Sequence, residues 1–115
     1  MTLPLSDAIR AELLANGKKT KAGGDHDLRP VVKLFTPDAN CTWLLTEIDS
    51  DDPDLAFGLC DLGLGYPELG LVSLAALASV RGRFGLPVER DTSFRPNRTL
   101  NAYADAASDA GRIVT

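Results

Sequence analysis

One hundred and fifteen residues suffice for one domain and would starve a second core. With 44% hydrophobic and 24% charged residues the composition is that of an ordinary globular chain, which excludes wholesale disorder. The net charge of −4 is uneven: residues 1–80 carry six basic and twelve acidic side chains, net −6, and residues 81–115 six basic and four acidic, net +2. That balance argues against a nucleic-acid binder working through overall charge.

The chain opens without the charged start and apolar run of a signal peptide. Its longest apolar stretch, about 69–80, is broken by Gly70 and Ser73 and is too short to span a bilayer. The reading is cytoplasmic, with Cys41 and Cys60 as reduced, small buried residues. The first predicted element is a short helix in "LSDAIRAELLANG": Ser6 caps, Asp7 favours the positive end, Ile9, Leu13 and Leu14 share a face, and Asn16-Gly17 supplies the stop. Residues 17–29 then read as a flexible, exposed connection.

From Pro30 the runs become β-length. Residues 31–35 and 41–49 are predicted strands around the turn "TPDAN". Residues 55–65 form a third, glycine-weakened strand after the loop "SDDPD", and 66–74 begin as a fourth. Closely spaced turn signals favour an antiparallel meander, with Trp43 and Phe57 mostly buried. A second helix is predicted over 73–80, "VERD" (88–91) as a short edge strand, and a helical tail over 99–115, capped by Thr99 and with Leu100, Tyr103, Ala104 and Ala107 on one face. The expectation is a single α+β domain over 1–115: a small twisted antiparallel sheet of three to five strands with helices packed on one face.

Chemistry is sparse. "DSDDPDLAFGLC" (49–60) has four aspartates, but a helix-loop-helix calcium loop needs Asp or Asn fifth, Gly sixth and Glu twelfth, where Pro53, Asp54 and Cys60 stand. One histidine, His26, and two cysteines fall short of a zinc set. No metal or cofactor is expected. There is no phosphate loop and no nucleophile elbow. Trp43, Phe57, Tyr66 and Phe84 read as core before they read as a stacking surface. Among the arginines of 81–98, Arg81, Arg83, Arg95 and Arg98 are the candidate nucleic-acid contacts, while Arg90 is expected to pair with Glu47 or Glu68 across the sheet.

"VVKLFTPDANCTWLLTEID", "AFGLCDLGLGYPELGLVSLAAL" and "VRGRFGLPVERDTSF" together resemble the bacterial family catalogued as domain of unknown function 2958. The resemblance runs over about residues 2–96, with the tail after Asn101 outside it; its marks include Lys33 to Pro37, Thr42-Trp43, Glu47, Phe57-Gly58, Glu68 to Gly70, Arg81-Gly82 and Gly85 to Asp91. It implies a compact α+β domain, typical of plasmids and integrative elements, with no established activity and no catalytic residue to carry over.

The leading reading is a non-enzymatic accessory protein of a mobile element that binds another protein through an acidic surface, Glu47, Asp49, Asp51, Asp52 and Asp54. One form is an anti-defence inhibitor of a CRISPR or restriction complex, meeting its nucleic-acid-binding groove with carboxylates. The alternatives are a nucleic-acid-binding module using the arginine segment, and a small hydrolase. The sequence carries no statement of oligomeric state.

Overall fold

The computed structural model describes residues 3–24 and 27–115; His26 lies outside the described residues. In chain order the elements are α1 (Asp7–Lys21), β1 (Val32–Phe35), β2 (Thr42–Ile48), β3 (Leu55–Asp61), β4 (Glu68–Ser73), α2 (Leu74–Ser79), β5 (Glu89–Arg90) and α3 (Leu100–Ala110). The strands form one antiparallel sheet in the order β4-β3-β2-β1-β5. Four consecutive strands make the meander, and β5 returns to pair with the outer side of β1 through Leu34↔Arg90 and Phe35↔Glu89. The fold is α+β.

Ser6 caps α1 by accepting a hydrogen bond from the Ile9 N–H at 3.2 Å. The expected stop at Asn16-Gly17, and with it the flexible connection from residue 17, is corrected: the helix runs on to Lys21. Gly17 is where the helix backbone approaches the sheet closely. A Cβ there would overlap the Ile48 carbonyl oxygen, so only glycine lets the helix backbone lie so close to β2. Asn16, one residue before, donates its side-chain N–H to the Thr46 carbonyl at 2.9 Å. That carbonyl belongs to a β-bulge. The register steps from Leu45↔Gly58 to Glu47↔Phe57, leaving Thr46 as the extra residue.

The bulge matters because side chains alternate across a strand. Before it, Trp43 and Leu45 face one side and Leu44 the other; after it, Ile48 rejoins the side of Trp43, and Glu47 takes the side of Leu44. The front face carries Val32, Leu34, Trp43, Leu45, Ile48 and Ala56 beneath Leu13 of α1 and Leu74 and Leu77 of α2, with Val88 completing the layer. The back face carries Leu44 and Leu59 beneath Leu100, Tyr103 and Ala107 of α3. Helices on one face therefore describes α1 and α2 only; α3 lies on the other, because the central strands are apolar on both sides. Trp43 is buried as expected, whereas Phe57 is only half-buried, packed against the edge of the back-face cluster.

The tail is fixed at its start. Thr99 makes no side-chain capping bond. Instead Asp27 Oδ1 accepts from the Asn101 N–H at 3.0 Å, and the Leu28 carbonyl accepts from the Leu100 N–H at 2.8 Å. The Tyr103 hydroxyl donates to Asn97 Oδ1 and accepts from the Asn97 N–H.

Candidate functional site

The acidic loop after β2 is built from its own carboxylates. Asp49 Oδ1 accepts from the N–H groups of Asp51 (2.7 Å) and Asp52 (3.3 Å), and Asp52 Oδ1 accepts from the Asp54 N–H (3.1 Å). Asp54 reaches the next element: its two oxygens accept from the Ser73 hydroxyl (2.6 Å) and the Ala75 N–H (2.9 Å) at the start of α2. Those bonds, the Ser73 hydroxyl first, hold its carboxyl below the usual range, partly opposed by desolvation. Asp51 pairs with Lys21. Glu47 stands apart on the back face, in one cross-strand row with Phe57 and Leu71. A small cleft of about 240 Å³ at the end of that row is shared by Glu47, Asp49 and Asp51 with Thr20 and Lys21. The five acidic residues thus share one margin of the sheet, and the four aspartates are also its scaffold.

The arginines disperse. Arg81 donates to the carbonyls of Ala78 (3.1 Å) and Val80 (2.7 Å), and Arg95 to those of Thr92 (3.2 Å) and Phe94 (2.9 Å). Arg98 sits 5.8 Å over the Tyr103 ring. Arg83 flanks the 37–41 turn at the far end of the sheet. Arg90 and Arg95 do meet, in a cleft of about 180 Å³ with Lys33 and Asp91. The expected partners of Arg90 are corrected. Its cross-strand neighbours Leu34 and Trp43 place it on the front face, Glu47 lies on the back, and Glu68 is on β4 at the opposite edge of the sheet. Among the described residues the ion pairs are Lys21–Asp51 and Lys33–Asp91, the latter at 3.4 Å.

A cleft of about 650 Å³ opens beside β1 and the 61–65 turn, and its charged lining is Lys33, Asp61, Asp91 and Arg112. Its volume suits a small ligand, yet three of those four groups are engaged. Asp61 is buried and accepts from the N–H groups of Gly63 (2.8 Å) and Ile113 (2.9 Å). Lys33 pairs with Asp91 and donates to the Thr115 hydroxyl at 2.8 Å. Ser93 hydrogen bonds, ahead of Lys33, hold the Asp91 carboxyl below the usual range. Cys41 on the rim is half-buried, as is Cys60, whose thiol is pushed up by burial and then by Glu68. Among the described residues no group of three or more His, Cys, Asp or Glu is placed to share a metal ion, and no helix is long and apolar enough to cross a membrane.

The stretch "RGRFGLP" forms a tight turn pinned by Asp38, a residue the sequence reading passed over. Asp38 Oδ2 accepts from the N–H groups of Phe84 (2.6 Å) and Leu86 (3.2 Å), and the turn closes on itself with Gly82 N–H to Leu86 O and Gly85 N–H to Gly82 O. Gly82 lies against the same carboxylate, where a Cβ would collide with it. Three turns, 37–41, 61–65 and 81–87, thereby converge at one end of the sheet around a cleft of about 610 Å³. Anchored from below, they hold out large apolar side chains: Leu62, Leu64 (72% exposed), Phe84 (77% exposed) and Leu86. Leu69 and Leu71 on β4, and Tyr66 just before it, are exposed as well. The signal was present in "LGLG" and "FGLP", where leucine and phenylalanine sit between turn-forming glycines and a buried place is hard to reach.

Neither the curated proteins nor the solved structures yield a match. A family model does, over residues 4–114, so the helical tail placed outside the resemblance lies inside the family's span, as its role in covering Leu44 and Leu59 requires. The anchored turn, its Asp38 clamp and both cores are thus parts of one matched unit, and the chain belongs to the family described as Protein of unknown function (DUF2958).

Proposed function

We propose that this is a non-enzymatic accessory protein that works by binding another protein through the three-turn end of its sheet. The observation that carries the reading is the set Leu62, Leu64, Phe84 and Leu86, held exposed on two turns, one tied by Asp61 to the Gly63 N–H and the other by Asp38 to the Phe84 and Leu86 N–H groups. Rigid apolar anchors lose little entropy on binding, and large apolar side chains exposed together at one end of a fold mark an interaction site. The acidic margin of Glu47, Asp49, Asp51, Asp52 and Asp54 supplies a field that steers a basic partner. The chain's setting would be the cytoplasm of a bacterium carrying a mobile element, and one form of the activity is inhibition of a defence complex. The test is capture from host extract by the tagged full chain, repeated with Leu64→Ser and Phe84→Ser together. Loss of the captured protein, with the thermal melt unchanged, supports the reading; retention sinks it.

One observation favours a second reading: Arg83 and Phe84 are adjacent and both exposed at the tip of the turn, a cation beside a stacking ring. Micromolar, salt-sensitive binding to plain single-stranded DNA, lost in Arg83→Ala, would establish it in place of the first.

A further inference from the structure

The two edges of the sheet are unlike. β5 offers two residues, whereas β4 offers six, paired with β3 in unbroken register from Leu55↔Ser73 to Cys60↔Glu68. Among the described residues no backbone group bonds to the outer side of 68–72. Most of the devices that usually blunt an edge are missing: the strand "ELGLVS" holds no proline, lysine or bulge, and its single charge, Glu68, stands at its first residue. Leu69 and Leu71 stand exposed on its back face, and on its front face nothing lies within 4 Å of a Cβ placed on Gly70.

We propose that the chain forms a symmetric dimer in which β4 pairs antiparallel with β4 of a second copy, Gly70 lying on the twofold axis. The strand is self-complementary about that residue. A twofold axis normal to the sheet keeps like faces together, so Leu69 meets Leu71 of the second copy twice over and four leucines form one row. Centring on Leu71 instead would set Leu69 against Ser73. The one charged residue of the edge, Glu68, falls opposite Val72, and the two Glu68 side chains lie about 14 Å apart at about 3.4 Å per residue. That exceeds the Debye length of about 8 Å in physiological salt, so the pairing carries little repulsion at its centre. By count Tyr66 comes opposite Leu74, at the start of α2, where the outward residues Ala75 and Ala76 are small and leave room for a ring. Two six-residue edges, four leucines and two tyrosines sit near the lower bound of specific interfaces, about 1,200 Å² in total. Such a dimer belongs at the weak end of the range, with a Kd on the order of 10–100 µM. It uses a different surface from the three-turn end, so its failure leaves the protein-binding reading standing.

Sedimentation velocity on the full chain over about 1–500 µM should show a monomer–dimer equilibrium. Added salt should leave it intact or tighten it, since both copies are acidic. Leu71→Lys places a charge in the leucine row and should weaken the dimer at least tenfold. Gly70→Cys reports independently of that variant's folding: Cα atoms opposed across antiparallel strands are about 4.5–5.5 Å apart, within disulfide reach. Mild oxidation should therefore cross-link Gly70→Cys rapidly, while Ser79→Cys and the native chain with Cys41 and Cys60 stay monomeric on a non-reducing gel. A chain monomeric at about 500 µM overturns the proposal. So does a dimer that survives in folded Leu71→Lys, or Gly70→Cys cross-linking no faster than Ser79→Cys.

Discussion

Asp38 shows how much one carboxylate decides here. It follows Pro37 in a turn, and its Oδ2 holds the Phe84 and Leu86 N–H groups of a turn more than forty residues away. Asp38→Ala leaves water to replace those bonds, a loss of about 1 kcal/mol, and should lower the melting temperature by a few degrees. Amide exchange should rise first at residues 84 and 86. Unchanged protection there would show that the turn is rigid without its clamp. Asp54 and Asp91 act similarly and lend themselves to titration. Both carboxyls are held below the usual range by hydrogen bonds, to Ser73 and Ala75 in one case and to Ser93 in the other. A depressed folded value stabilises the fold above the ordinary carboxylate pKa of about 3.9, and that contribution is lost as pH falls through the lower folded value. Stability should therefore hold from neutral pH down to about 5 and fall below about 4. Asp54→Asn should remove part of that acid dependence, read by far-UV melts across the range; an unchanged profile would rule Asp54 out as a source.

At the scale of elements, α1 is decided by a missing side chain. Because Gly17 lies against the Ile48 carbonyl, Gly17→Ala gains helix propensity of about 1 kcal/mol and loses more through overpacking, about 1–3 kcal/mol. The net expectation is destabilisation, visible as a lower denaturation midpoint. Gly70→Ala, at an open position, should be near neutral. A stabilised Gly17→Ala would mean that the helix is free to shift away from the bulge. This pair of glycines also marks where legibility ended. Strands β1 to β4, α2, the "VERD" edge and the last helix could all be read from apolar runs and turn residues, because those signals are local. Asn16-Gly17 carries the same letters as a helix stop, and only its distant neighbour at Thr46–Ile48 makes it a docking point. Asp27 likewise gave no sign of capping α3, since the bond to Asn101 spans 74 residues. The acidic loop was legible as a cluster, while its use as a scaffold depended on Ser73 and Lys21, which the chain brings to it from elsewhere.

Across the whole molecule, β2 and β3 serve two cores at once. Trp43-Leu44-Leu45 alternate sides, so neighbours in sequence belong to different layers: Leu45 lies under α1 and α2, Leu44 under α3. The radius of gyration, 13.4 Å, is what about 115 residues give when the whole chain is packed, tail included. A tail docked by few side chains would fray separately. Here Leu100, Tyr103, Ala107 and Ile113 are all buried, and Asp61 of β3 accepts from the Ile113 N–H beyond the helix. The two layers should therefore unfold together. Leu45→Ala and Leu59→Ala, on opposite faces, should each cost about 2–5 kcal/mol, as buried leucine truncations do. Each should shift one common transition, with near-UV absorption of Trp43 in the front layer and amide exchange of α3 in the back reporting the same midpoint. Two resolved transitions, with Leu59→Ala moving only that of α3, would instead make the C-terminal helix an independent lid over an otherwise complete five-strand sheet. Coincident midpoints in both variants would show that the shared strands transmit the loss from one layer to the other.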